Sequence, residues 1–275
     1  MNTIKLLFIS VALMSLMACG EDQGPGAAAN EVAKLDTNTP DGAFKAVVAS
    51  LRSNDLKTMI QTSMSEEQYN ELVAEFEKGK ATQFSQSDEM QFQQMMGMLT
   101  SEGAEDTLYA MAAPQLEQAR AFLPMALMMG KDQISQMVQS NGMLDQAQQE
   151  SAIKVGGAVI DWVGENDILS EEVTKGAIAA AVATAKALDM KSLNEVKDMS
   201  FDQALEKGAV VLGGVKNIMG AYGISMDDML DSVEVSNVQV SGETATMDMT
   251  MELFGEEITQ AVNMVQKNGK WVSEK

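Results

Sequence analysis

Residues 244–253 alternate without a break: Thr244, Thr246, Asp248, Thr250 and Glu252 hold one parity, and Ala245, Met247, Met249, Met251 and Leu253 hold the other. Successive side chains of an extended chain point to opposite faces, so a strict period of two specifies a strand with one apolar and one polar face. A helix cannot use this pattern, because it brings residues three and four apart together. The neighbouring sequence has the same grammar. Val233, Val235, Val238 and Val240 read as a preceding strand, with Ser241-Gly242 as the turn. Ile258, Ala261, Val262, Met264 and Val265 follow the turn Phe254-Gly255-Glu256. Asn268-Gly269 is a strong hairpin signal, and Lys270-Trp271-Val272 closes the set. Residues 231–275 are therefore expected to form an antiparallel meander with one buried face.

Before Asp231 the spacing is helical. Thr39 caps a helix with Pro40 at its first position, and Ala43, Phe44, Val47, Val48 and Leu51 recur along one face until Asn54-Asp55. Residues 56–62 form a second, short helix. Ser65 and Gln68 make a capping box for a third, whose inward face is Tyr69, Leu72, Val73 and Phe76. Residues 83–98 are rich in Gln and Met, with Met90, Met95, Met96, Met98 and Leu99 as the apolar side. A helical stretch from Glu105 is expected to be interrupted at Pro114 and Pro124. It carries a second methionine cluster, Met125, Leu127, Met128 and Met129, and stops at Asn141-Gly142. Residues 145–163 form a helix, and Ser170-Glu171-Glu172 caps another through the alanine-rich run 176–188, too short to span a membrane and expected to pack inside. The last helix runs from residue 201 to about 222, with Gly208, Gly213, Gly214 and Gly220 along it. The fold class is α+β, predominantly α-helical with a C-terminal antiparallel β-meander.

The sequence excludes several kinds of chemistry. It holds no histidine, which removes the commonest general base, a Ser-His-Asp triad and a His/Cys zinc site. Cys19 is the only cysteine, so no intramolecular disulfide forms and stability comes from packing. With 19 basic and 40 acidic residues, a formal net charge of −21, the surface repels nucleic acid and anionic lipid, and no nucleic-acid partner is expected. The carboxylate groups Glu171-Glu172, Asp227-Asp228 and Asp161 with Glu165 and Asp167 lack the glycine-pivoted spacing of a calcium loop and read as caps and solvated surface. No catalytic, cofactor or metal residue is assigned, and the chain is not expected to be an enzyme. Methionine is abundant, at 24 residues. A malleable core or promiscuous groove is the favoured reading, since the methionines share faces with Leu, Ile and Val. The alternative is a carrier of a hydrophobic ligand, or of a soft metal such as cuprous ion held by thioethers.

The beginning of the chain has its own pattern. Lys5 precedes an almost wholly apolar run, residues 6–17, that leads into Ala18-Cys19. A charged start, a short apolar core and a small residue before the cut make a secretory signal, and the run is shorter than the about 20 residues of a spanning helix. Leu16-Met17-Ala18-Cys19 resembles the lipobox of bacterial lipoproteins. The resemblance implies cleavage between Ala18 and Cys19, diacylglycerol on the Cys19 sulfur, and a membrane anchor as the chain's first partner. Gly20, where an aspartate favours retention in the inner membrane, implies an outer-membrane lipoprotein facing the periplasm. Residues 1–18 are then signal and residues 19–38 a lipidated tether spanning roughly 25 Å.

Thr39-Pro40-Asp41-Gly42-Ala43-Phe44, Leu51 and Asn54-Asp55-Leu56 resemble the opening helices of the cone-shaped superfamily of nuclear transport factor 2. Residues 238–246 and 267–271 resemble its last strands. This resemblance implies an α+β unit made of residues 39–79 and 231–275, with residues 80–230 as a helical insertion or subdomain that fills or covers the family's usual cavity. The expected function is a membrane-anchored, non-enzymatic binding or accessory module, with an envelope protein or a hydrophobic ligand as partner.

Overall fold

The computed structural model describes residues 35–81, 84–140, 142 and 146–273. The signal segment, Ala18, Cys19 and the tether up to residue 34 lie outside the described residues. The helices are α1 (Pro40–Arg52), α2 (Leu56–Ser63), α3 (Glu66–Lys80), α4 (Gln86–Thr100), α5 (Ala104–Gln139), α6 (Gln146–Glu165), α7 (Glu171–Leu188), α8 (Phe201–Ala221) and α9 (Met226–Asp231), with a 3-10 turn, Leu193–Lys197, before α8. The strands β1 (Glu234–Ser241), β2 (Thr244–Leu253), β3 (Glu256–Lys267) and β4 (Lys270–Ser273) follow. The fold is α+β and predominantly helical, with a four-stranded antiparallel sheet in the order β1-β2-β3-β4.

The alternation in β2 sets the sheet. Ala245 pairs with Met264 and Met247 with Val262, and this parity faces α1. Ala43, Ala245, Met247, Met264 and Trp271 form one buried cluster, with Phe44, Val235 and Val262 packed against it. The Trp271 Nε1–H donates to the Asn38 carbonyl at 3.0 Å, which ties β4 to the entry of α1. The opposite parity is polar, and the Thr250 and Thr259 hydroxyls meet across it at 2.9 Å. β1 departs from simple alternation. Its pairing jumps from Ser236–Asp248 to Gln239–Thr246, so Asn237, at φ 51, and Val238 together oppose Met247. This bulge lies on an edge strand, where it breaks a flat edge that would pair with another chain. The extra residue sets Val240 opposite Ala245, on the apolar parity, yet at this edge Val238 and Val240 are exposed.

A second cluster joins residues far apart in the chain. Phe76, Met190, Val196 and Phe201 are buried together, with Tyr69, Leu72 and Val73 against them. The Phe201 ring meets Tyr69 and Phe76 edge-on at 5.8 and 5.4 Å. The inward face expected for α3 is thus the face that packs. The glycines of α8 mark close approaches: Gly214 faces the Thr184 hydroxyl of α7, and Gly208 faces Leu56 of α2. Lys216, two residues beyond Gly214, is 1% exposed. Its ammonium donates to the Leu51 and Arg52 carbonyls at 3.0 and 2.6 Å and to Asp227 Oδ1 at 2.8 Å. It therefore satisfies the last carbonyls of α1, which a helix cannot pair internally.

The expected interruption of the long helix does not occur: α5 runs through both Pro114 and Pro124. A proline removes the hydrogen bond to the carbonyl four residues earlier. Here those carbonyls belong to Ala110 and Arg120, and both residues are exposed, as are the prolines. Water can take the freed acceptors, so the helix continues.

Candidate binding face on the long helix

One narrow stripe of α5 faces the protein. Leu108, Tyr109, Ala112, Leu116, Leu123, Leu127, Ile134 and Val138 recur at helical spacing, and all are half-buried or buried. The seam with α6 is made by glycines. A Cβ on Gly130 would stand 2.7 Å from Ile160 Cδ1, and a Cβ on Gly156 would stand 2.7 Å from Ile134 Cγ2. One ion pair spans the seam, Lys131 with Asp161 at 2.6 Å. Arg120 pairs with Glu117 of its own helix at 2.9 Å and donates to the carbonyl of Leu169, beyond the end of α6.

The rest of the circumference is unusual. Residues 121–130 carry no charge, and Ala121, Phe122, Pro124, Met125, Ala126, Met128 and Met129 are all exposed. Phe122 is 62% and Met128 81% exposed. A surface helix of a globular protein sets a polar face opposite its apolar one. This segment is apolar all round, yet among the described residues its neighbours lie on one side only. Met111 and Met137 continue the exposed series along α5, and Met90, Met95 and Met98 continue it on α4, where Met96 alone of the methionines is buried. The core reading of the methionines holds for Met96, Met190, Met219, Met247 and Met264, which are buried. It fails on the outward sides of α4 and α5, because helical spacing marks an apolar side without guaranteeing that another element covers it.

The carboxylate groups separate in space. Glu171 pairs with Lys175 at 2.6 Å, and that hydrogen bond holds the Glu171 carboxyl below its usual value. Lys175 also lies over the Tyr109 ring, 4.8 Å from its centroid, which fastens α7 to α5. Asp161 is taken by Lys131 and Asp227 by Lys216. Among the described residues no group of three or more His, Cys, Asp or Glu is placed to hold a metal ion. No helix among them is long and apolar enough to cross a membrane. What the α5 face offers is flexible thioethers and an aromatic ring, groups that bind by packing and repacking. Phe122 escaped the sequence reading, although the charge-free run around it was the available signal. Cys19 and Ala18 lie outside the described residues. The chain matches no protein-family model, no curated protein and no solved structure.

Proposed function

We propose that the chain is an outer-membrane lipoprotein, anchored through Cys19 and facing the periplasm, that works without catalysis as an accessory module and docks an envelope protein on the apolar middle of α5. The observation that carries this reading is the exposed, charge-free surface of Phe122, Met125, Met128 and Met129. Protein interface cores are enriched in aromatic residues and Met and depleted of charge, and large exposed apolar patches mark interaction sites. The methionines adapt to more than one partner shape. The address rests on Leu16-Met17-Ala18-Cys19, and the residues between Cys19 and α1 supply the reach. The packing of α1 on the meander through Ala43 and Phe44 supports treating the two ends of the mature chain as one cone-like unit that presents the helices between them.

The face is tested with a hydrophobic fluorescent probe on the full chain. The probe should brighten while the protein still unfolds cooperatively, and Phe122→Asp with Met128→Lys should cut that signal several-fold without lowering the melting temperature. A folded chain that leaves the probe dark sinks the docking reading. Met125, Met128 and Met129 stand three and four residues apart and are exposed together, which also suits a soft cation. Cuprous binding lost on replacing these three by Leu, with probe binding kept, would favour the carrier instead. The anchor has a separate test: Cys19→Ser should abolish lipidation, and unchanged processing and membrane fractionation of that variant would remove the lipoprotein assignment.

A further inference from the structure

Trp162, near the end of α6, meets Phe254, in the turn between β2 and β3, with ring centroids 5.6 Å apart and planes at 57°. The two rings form adjoining walls of a depression of about 420 Å³, whose rim includes Asp228, Met229, Ser232 and Glu252 and no lysine or arginine. Phe254 sits there at a cost. Its φ is 52°, in the left-handed region where a bulky side chain is an outlier. A two-residue hairpin turn of this kind favours Asn or Asp followed by Gly. The next turn, Asn268-Gly269, uses that favoured pair at φ 53° and 79°. The hairpin therefore does not need a ring at position 254, but the depression does.

The surrounding charges are sorted. Asp227 pairs with Lys216 at 2.8 Å, Asp231 with Arg52 at 2.7 Å, and Glu256, just past the turn, with Lys154 at 2.6 Å. Asp228, between the first two on α9, and Glu252, at the end of β2, have carboxylates with no hydrogen bond or ion pair to any described residue. The depression thus combines two angled aromatic rings with two carboxylates that no described residue pairs. A cation is attracted to the face of an aromatic ring. A primary ammonium would bind the carboxylate oxygens directly and make little use of the rings. A quaternary ammonium uses both features, because it presents methyl groups to the rings and a diffuse charge to the acids.

We infer that the corner between Trp162 and Phe254 binds a small quaternary ammonium group, with its methyls against the rings and its charge balanced by Asp228 and Glu252. The site is separate from the α5 face. The same chemistry occurs in free amines and in lipid headgroups, and two probes tell them apart. The full chain, in a non-ionic detergent at constant ionic strength, is titrated with choline chloride and with glycerophosphocholine. Binding is read by calorimetry and by Trp162 fluorescence, since Trp271 is only 4% exposed. Saturable binding is expected, weakened about fivefold or more by Phe254→Asn and by Asp228→Asn with Glu252→Gln. The melting temperature of Phe254→Asn should be no lower than that of the unaltered chain, because relief of backbone strain offsets the lost ring contact. Glycerophosphocholine binding as tightly as choline assigns the headgroup as the source, and choline alone assigns a free amine. Trp162→Leu provides an independent loss of binding if the turn variant misfolds. No saturable signal with either probe, an equal response to ammonium chloride, or an affinity unmoved by Phe254→Asn and Trp162→Leu would overturn the inference.

Discussion

Met247 and Met128 have the same side chain and opposite surroundings. Met247 is 2% exposed, held between α1 and the other strands, whereas Met128 is 81% exposed on α5. The difference lies in how each local pattern meets its neighbours. In β2 the apolar residues occupy one parity only, and α1 packs on that parity, where Trp271 of β4 joins the same cluster. In residues 121–130 apolar side chains leave α5 in every direction, while α6 and α7 lie to one side of it. Hydrophobic residues are thus buried by the match between their periodicity and the available partners, and the surplus remains as surface. A surplus formed of Met and Phe, bounded by the paired charges of Arg120 and Lys131, is a place for a partner to dock.

The largest expected effect tests that contrast directly. Met247→Ala removes atoms from a filled cluster and should cost about 2–5 kcal/mol in unfolding free energy. Met128→Ala should change it by no more than about 0.5 kcal/mol. Both are measured by denaturant unfolding of the full chain at low protein concentration. Equal losses would mean that Met128 is covered in solution. If the Met128→Ala loss then grows with protein concentration, a second copy of the chain supplies the cover.

How much could be read from the sequence follows from the same contrast. The meander was legible because parity in a strand assigns each residue to a face. The helix starts were legible because capping is local: Thr39 accepts from the Gly42 N–H, the Ser65–Gln68 box closes in both directions, and Ser170 accepts from the Val173 N–H. Features decided by distant residues were not legible. Lys216 lies in an apolar stretch of α8, and its acceptors come from residues 51, 52 and 227. The short helix α9 and the 3-10 turn are too brief for a period to show. The continuity of α5 through its prolines depends on the exposure of Ala110 and Arg120, a tertiary fact. At the candidate site the methionine clusters were visible and their exposure was not, because spacing along one helix does not count its neighbours. The left-handed Phe254 sits where a turn was expected, but nothing local indicates that Trp162 would stand against it.

The finest test asks whether the inward stripe of α5 is packed as tightly as the sheet, which would confine the contrast to the outward surface. Two adjacent glycines of α6 provide it. A Cβ at Gly157 meets nothing within 4 Å, whereas one at Gly156 falls 2.7 Å from Ile134 Cγ2 and 3.2 Å from its Cδ1. Ile134 is branched at Cβ and stiff at χ1, so it cannot swing that methyl aside cheaply. Both replacements by Ala gain up to about 1 kcal/mol from helix propensity, but only Gly156→Ala also pays an overpacking cost of about 1–3 kcal/mol. Gly157→Ala should therefore raise the melting temperature, and Gly156→Ala should leave it unchanged or lower it. If both variants are stabilised alike, the α5–α6 seam is loose, and α5 differs from the sheet on its inward side as well as its outward one.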